Sequence, residues 1–136
     1  MPFIKYLFLY LLTIPVFFLI DIFWIGFVAD KMYWKHLGHL RSETVNWPAA
    51  IAFYTIFIAG ILFFAVRPAI ESGQWQTAVI FGSLFGFFTY ATYDLTNMAT
   101  LKNWPLIVTM ADILWGIFLC ASVATASFFI AKRFIL

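Results

Sequence analysis

Four long apolar runs, separated by short polar stretches, make up most of the chain. They cover about residues 6–29, 48–66, 76–98 and 105–131. A helix rising about 1.5 Å per residue needs roughly 20 apolar residues to cross about 30 Å of hydrocarbon, and each run is near that length. Only one longer loop and two shorter connections remain. The pattern predicts an all-α, integral membrane four-helix bundle that forms a single domain over residues 1–136.

The loop after the first run has its own helical pattern between Lys31 and Glu43. Its apolar and polar side chains fall on separate stripes, as in a short helix that lies in the membrane interface. We therefore predict an interfacial helix here. The candidates for contact with lipid headgroups are His36, His39 and Glu43. Such side chains can also bind a metal ion, but no metalloenzyme spacing such as HExxH is present, so we expect none.

Composition agrees with a membrane location. The 136 residues are 65% hydrophobic, 22% aromatic and only 10% charged, which leaves no polar shell for a soluble domain. The net charge of +2 is small and the basic residues are scattered, so we expect membrane lipids and no nucleic acid as partners. The single cysteine, Cys120, is interpreted as a packing residue in the fourth run.

The basic residues do not settle the orientation in the membrane, because four crossings divide them evenly between the two sides. Lys132 and Arg133 directly follow the last run, so we expect both termini in the cytoplasm. The three basic residues that follow the first run argue for the reverse orientation.

Two Asn-Trp-Pro triplets mark the starts of helices. Asn46-Trp47-Pro48 introduces the second run and Asn103-Trp104-Pro105 introduces the fourth. Asn is a good N-cap, Pro suits the first helical position, and Trp belongs at the headgroup level. We predict that both helices begin at these triplets, on the same side of the membrane.

Three aspartates, Asp21, Asp94 and Asp112, lie within or at the mouths of the apolar runs. An acid in hydrocarbon is costly, and it is therefore a functional-site hypothesis by default. Counting from the helix ends places Asp21 and Asp112 roughly 10–12 Å below the same membrane surface. We predict that the three acids share one site, although each one alone can also serve only to fix packing. Neighbouring carboxylates cannot all stay ionised, so they would share a proton or hold a cation.

Helical spacing adds further side chains to this site. Gly82, Gly86, Tyr90 and Asp94 follow one another at intervals of four, and glycines at that spacing let a second helix approach closely. This stripe is therefore expected to face the bundle interior, with Tyr90 and Asn97 as hydrogen-bond donors to the aspartates. The predicted polar cavity comprises Asp21, Asp94, Asp112, Asn97, Tyr90, Thr96, Trp24 and Trp115.

Several of these positions also carry a family resemblance. The run Tyr93-Asp-Leu-Thr-Asn97, the pair Trp104-Pro105 and the segment Asp112-Ile-Leu-Trp-Gly116 are distinctive, and Asp21-Ile-Phe-Trp24 fits the same pattern. Over essentially its full length the chain resembles the small predicted membrane proteins called DUF2177.

The resemblance implies a four-helix protein of the bacterial inner membrane, and it implies no particular activity. Genes of that family tend to lie near genes for fatty-acyl or cyclopropane-lipid modification. The family pattern falls on Asp21, Trp24, Tyr90, Asp94, Thr96, Asn97, Trp104, Pro105, Asp112, Trp115 and Gly116.

The sequence favours one function and leaves two alternatives open. The favoured function is the handling of a lipid headgroup, a small amphiphile or a cation in the aspartate-lined cavity, linked to proton movement. One alternative is a lipid-modifying enzyme with an aspartate as general acid or base and His36 and His39 at the headgroup. The other is a non-catalytic subunit or assembly factor of a larger membrane complex. No cofactor motif is present, so no cofactor is expected, and the small bundle favours a homodimer or a larger partner.

Overall fold

The structure, a computed structural model, describes residues 1–136 as six α-helices. These are α1 (Phe3–Trp24), α2 (Asp30–Leu37), α3 (Trp47–Ile61), α4 (Arg67–Ser72), α5 (Trp75–Thr100) and α6 (Leu106–Ile130). Wider π-helical turns at Ile25–Ala29 and Leu62–Val66 join α1 to α2 and α3 to α4, and a third at Ala131–Ile135 extends α6.

Four continuous helical segments result, and each is long and apolar enough to span a membrane. The first to fourth spans are Phe3–Leu40, Trp47–Ser72, Trp75–Thr100 and Leu106–Ile135. The predicted all-α four-helix membrane fold is confirmed.

The first span differs most from the sequence prediction. The short helix predicted in the first loop is present as α2, but it continues directly from α1 through the π turn and a 3-10 turn at Gly38–Leu40. Residues 25–40 contain no proline, and Gly26 stays helical. Polar residues such as Asp30 end an apolar run without ending a helix, because hydropathy reports solvation and not backbone geometry.

The two Asn-Trp-Pro triplets have different conformations. Asn46 caps α3 as predicted, since its side chain accepts a hydrogen bond from the Ala49 N–H at 3.2 Å. Asn103 instead adopts a left-handed conformation with φ of 59°, and α6 begins only after Pro105. The prediction that Asn103 caps α6 is wrong. Asn tolerates the left-handed region better than most residues, and here it closes the turn that follows α5.

The third and fourth spans pack most closely, along the glycines of α5. A Cβ atom on Gly86 would overlap the carbonyl oxygen of Gly116, and one on Gly82 would lie 2.7 Å from the carbonyl oxygen of Cys120. The predicted glycine stripe therefore faces the bundle interior. Since Asp94 lies two turns beyond Gly86, this backbone contact also fixes how α5 presents Asp94 to α6.

Candidate functional site

A small cavity lies where side chains from all four spans come together, and the first span contributes from both α1 and α2. It encloses about 170 Å³. Its wall is formed by Phe17, Asp21, Trp24, Ile25, Tyr33, Phe53, Tyr54, Tyr90, Asp112 and Trp115. No span supplies the whole wall, so the site exists only in the assembled bundle. The π turn that contains Ile25 forms part of it, and such turns often occur at functional sites.

Asp112 is half-buried and lies among the polar side chains of the cavity. The Tyr33 hydroxyl donates a hydrogen bond to Asp112 Oδ1. Tyr33 reaches this position because α2 continues from α1 as one helix instead of lying apart in the interface. Asp112 is also the neighbour of both other acids, Asp21 and Asp94.

Asp21 is buried and also lines the cavity. The Tyr54 hydroxyl donates to Asp21 Oδ2 over a long 3.5 Å. The Trp115 indole lies next to the same carboxyl group. Asp21 therefore retains capacity to accept further hydrogen bonds from a ligand.

Asp94 is fully buried, and neither of its carboxyl oxygens accepts a hydrogen bond. It lies beside Asp112 and outside the cavity wall. Buried polar atoms nearly always have a partner, so this carboxyl group needs an explanation. Two adjacent carboxylates with no basic neighbour cannot both be ionised. The pair must share a proton or balance a bound cation.

The remaining cavity wall is aromatic. The rings of Trp24 and Trp115 stack with centroids 4.6 Å apart and planes 6° from parallel. Both indole Nε1 atoms are buried without an acceptor. No Lys, Arg or His lines the cavity. The site thus combines acidic groups, aromatic faces and unused N–H donors.

A larger groove, here called the lateral groove, lies between α3 and α5 and adjoins the cavity. It encloses about 720 Å³ and shares Phe53, Tyr90 and Asp112 with the cavity wall. Ile56 and Phe88 line it and are exposed on the outer face of the bundle. The groove therefore connects the face that would contact lipid with the carboxyl group of Asp112.

The structure brings most of the predicted site residues together. Those that line the cavity are Asp21, Tyr90, Asp112, Trp24 and Trp115. Thr96 is exposed, and its hydroxyl donates to the Thr92 carbonyl of its own helix at 2.5 Å. Asn97 is half-buried next to Tyr93. Neither Thr96 nor Asn97 lines the cavity.

The prediction of which side chains donate hydrogen bonds to the aspartates is wrong. Neither Asn97 nor Tyr90 donates to a carboxyl group, and the donors are Tyr33 and Tyr54. Helical spacing shows which way a side chain points on its own helix, but not which residue of another helix faces it. One signal was available, since a phenol within an apolar run, as at Tyr54, requires a partner.

The candidates in the first loop lie away from the cavity. His36 is half-buried on α2, His39 is exposed in the turn that follows, and Glu43 is exposed beyond it.

No three His, Cys, Asp or Glu side chains come together as a metal-binding group. The three aspartates therefore do not converge on one point, and Asp112 is the member that links the other two.

Replacing Tyr33 with Phe is expected to lower the free energy of unfolding by about 1–3 kcal/mol, because a partly buried carboxyl oxygen of Asp112 loses its donor. The measurement is thermal unfolding in a mild detergent. Tyr6→Phe is the matched control, since the Tyr6 hydroxyl makes no side-chain hydrogen bond, and it should unfold like the wild type. Equal stability of the two variants would contradict a stabilising bond between Tyr33 and Asp112.

Comparison with known proteins identifies the family. A family model described as a predicted membrane protein, DUF2177, matches residues 6–129. The matched range contains every residue of the cavity wall. No curated protein and no solved structure matches the chain. Since the match covers most of the sequence, from the first span almost to the end of α6, the chain belongs to the DUF2177 family of predicted membrane proteins.

Proposed function

We propose that this protein binds a lipid or another small amphiphile within the bilayer and links that binding to proton movement. The observation that carries the proposal is the lateral groove, which leads from the outer face of α3 and α5 to Asp112. A ligand dissolved in the membrane would reach the acidic cavity from the side, without crossing an aqueous surface.

The sizes of the two spaces fit a ligand with two unlike ends. The cavity, at about 170 Å³, is smaller than the roughly 300–1,000 Å³ of sites that enclose a whole drug-sized ligand. The groove, at about 720 Å³, is lined mostly by hydrophobic side chains such as Ile56, Phe57 and Phe88. A polar head would occupy the cavity while an apolar chain lies in the groove.

The link to protons rests on the carboxyl pair of Asp94 and Asp112. Their titratable neighbours are Asp21 and the phenols of Tyr33, Tyr90 and Tyr93, and none of these supplies a positive charge. In this proposal the two carboxyl groups share a proton until a ligand binds. A ligand that brings positive charge or strong donors to Asp112 would displace that proton.

The proposed location is the bacterial inner membrane, with both termini in the cytoplasm. Lys132 and Arg133 are exposed in the turn that ends the fourth span. Basic residues that directly follow a span favour the cytoplasmic side.

A comparison of total lipid extracts tests the proposed function. A strain that lacks this gene would be complemented with the wild type, with Asp112→Asn or with Asp30→Asn. Asp30 is the matched control, because it is exposed and does not line the cavity. Its Oδ1 atom lies 4.0 Å from Nη1 of Arg41. We expect a lipid species that changes on deletion to be restored by the wild type and by Asp30→Asn, but not by Asp112→Asn. An unchanged lipid profile in the deletion strain would argue against lipid handling and for a role as a subunit of a larger complex.

A further inference from the structure

We infer that the ligand of the cavity carries an alkylated ammonium group, which Asp112 and Asp21 balance inside an aromatic cage. The inference rests on the proposed function, in which an amphiphile enters through the lateral groove. It adds the chemical class of the headgroup, which decides which amphiphiles the protein accepts.

The charges around the cavity favour a cation. The protein has two ion pairs, Arg41 with Asp30 and Arg67 with Glu71, and both are exposed. None of the three intramembrane aspartates has a basic partner. A phosphate headgroup would bring a like charge to Asp112 in an environment of low dielectric, whereas an ammonium group would bring the missing opposite charge.

The wall of the cavity favours an alkylated ammonium over a metal ion. Seven of the ten lining residues are aromatic, and they are Phe17, Trp24, Tyr33, Phe53, Tyr54, Tyr90 and Trp115. Aromatic cages recognise alkylated ammonium groups, because the negative faces of the rings attract a cation that is only weakly hydrated. A metal ion would require several oxygen ligands around one point, and the acids do not come together in that way.

The two indole N–H groups add hydrogen-bond donors to the aromatic cage. Trp115 retains only 7% exposure and lines the cavity, and its Nε1 atom has no acceptor. The Trp24 Nε1 atom, on the ring stacked against it, has none either. A buried N–H without an acceptor is uncommon. A hydroxyl or carbonyl oxygen next to the ammonium group of the ligand would satisfy these donors.

Equilibrium binding of tritiated probes tests the inference. The purified full-length protein in dodecyl maltoside would be titrated, by scintillation proximity, with decyltrimethylammonium, decyl phosphate and tetramethylammonium. Tetramethylammonium carries only the cationic head, and decyl phosphate carries the apolar chain on an anionic head. Decyltrimethylammonium carries both the cationic head and the apolar chain. We expect saturable binding of decyltrimethylammonium, with the other two at least tenfold weaker.

Two variants assign the head and the chain to their places in the structure. Asp112→Asn should weaken decyltrimethylammonium binding at least tenfold, while the exposed Asp30→Asn control binds like the wild type. Ile56→Trp should fill the lateral groove and weaken decyltrimethylammonium but not tetramethylammonium, because Ile56 lines the groove and not the cavity. The preference among probes is measured on the wild type, so the test stands even where a variant does not fold.

The outcomes separate this inference from the proposed function. Decyl phosphate that binds as tightly as decyltrimethylammonium would overturn the ammonium assignment and leave amphiphile binding intact. Failure of both decyl probes to bind would overturn both proposals. Tetramethylammonium that binds as tightly as decyltrimethylammonium would show that the groove takes no part.

Discussion

Asp94→Asn is expected to uncouple ligand binding from proton movement while the protein keeps the stability of the wild type. The carboxyl group of Asp94 is fully buried, and neither oxygen accepts a hydrogen bond, so the fold gains no donor contact from it. A buried polar atom without a partner costs about 1–3 kcal/mol, and a protein retains such a cost most readily at a functional site. The amide of Asn has the same shape but cannot share the proton of Asp112.

Thermal unfolding in detergent, together with decyltrimethylammonium binding at several pH values, would measure stability and proton coupling on one sample. Asp94→Asn should keep decyltrimethylammonium binding, lose the pH dependence of that binding and unfold close to the wild-type temperature. Thr13→Val is the contrasting variant, because the Thr13 hydroxyl is buried and bonded to Ser127 at 2.8 Å across α1 and α6. It should lose about 1–3 kcal/mol of stability and keep binding, since Ser127 would lose its partner. An Asp94→Asn protein that unfolds well below the wild type would instead show that Asp94 serves to lock the packing.

Gly86→Ala is expected to cause the largest loss of stability of any single methyl addition to this bundle. The new Cβ would overlap the backbone carbonyl of Gly116, and a backbone group cannot turn aside as a side chain can. Overpacking costs about 1–3 kcal/mol and sometimes more, and here we expect the upper end or beyond. Because α5 carries Asp94 and α6 carries Asp112, pushing these two helices apart should also impair ligand binding.

Two other glycines provide a graded control for that prediction. A Cβ on Gly60 would lie 2.8 Å from the ring tip of Phe85, which can shift, so Gly60→Ala should be milder. A Cβ on Gly26 would meet nothing within 4 Å, so Gly26→Ala should leave the unfolding temperature unchanged or raise it slightly. Chemical or thermal unfolding of the three variants should rank them as Gly86, Gly60 and Gly26 in decreasing severity. A Gly86→Ala protein as stable as Gly26→Ala would contradict the close packing of α5 on α6.

The sequence predicted the packing of α5 because the signal there is local. Gly82, Gly86, Tyr90 and Asp94 lie on one stripe whatever the neighbouring helix is, and a stripe of glycines has little use except close approach. Thr96, which is a position of the family pattern, does not lie on that stripe. Two residues along a helix correspond to a rotation of roughly 200°, so Thr96 lies on the outer face.

The hydrogen bonds of the site show why local sequence patterns were not enough to predict which side chains contact the aspartates. Tyr33 appeared to belong to a separate interfacial helix, and only the continuous helix through Ile25–Ala29 brings it to Asp112. Tyr54 donates to Asp21 because α3 is rotated to face α1 at that depth. Such rotations depend on the packing of all four spans and cannot be read from any one of them.

By itself the sequence determined that the chain is a membrane protein with four spans and that three acids lie within them. These properties follow from the transfer of side chains into hydrocarbon, which adds up residue by residue along the chain. Only the tertiary structure decided that Asp112 joins the other two acids, that Asp94 has no donor, and that a groove between α3 and α5 reaches the cavity. Those features depend on distances between side chains far apart in sequence, and such distances are set by how the helices pack and rotate against one another.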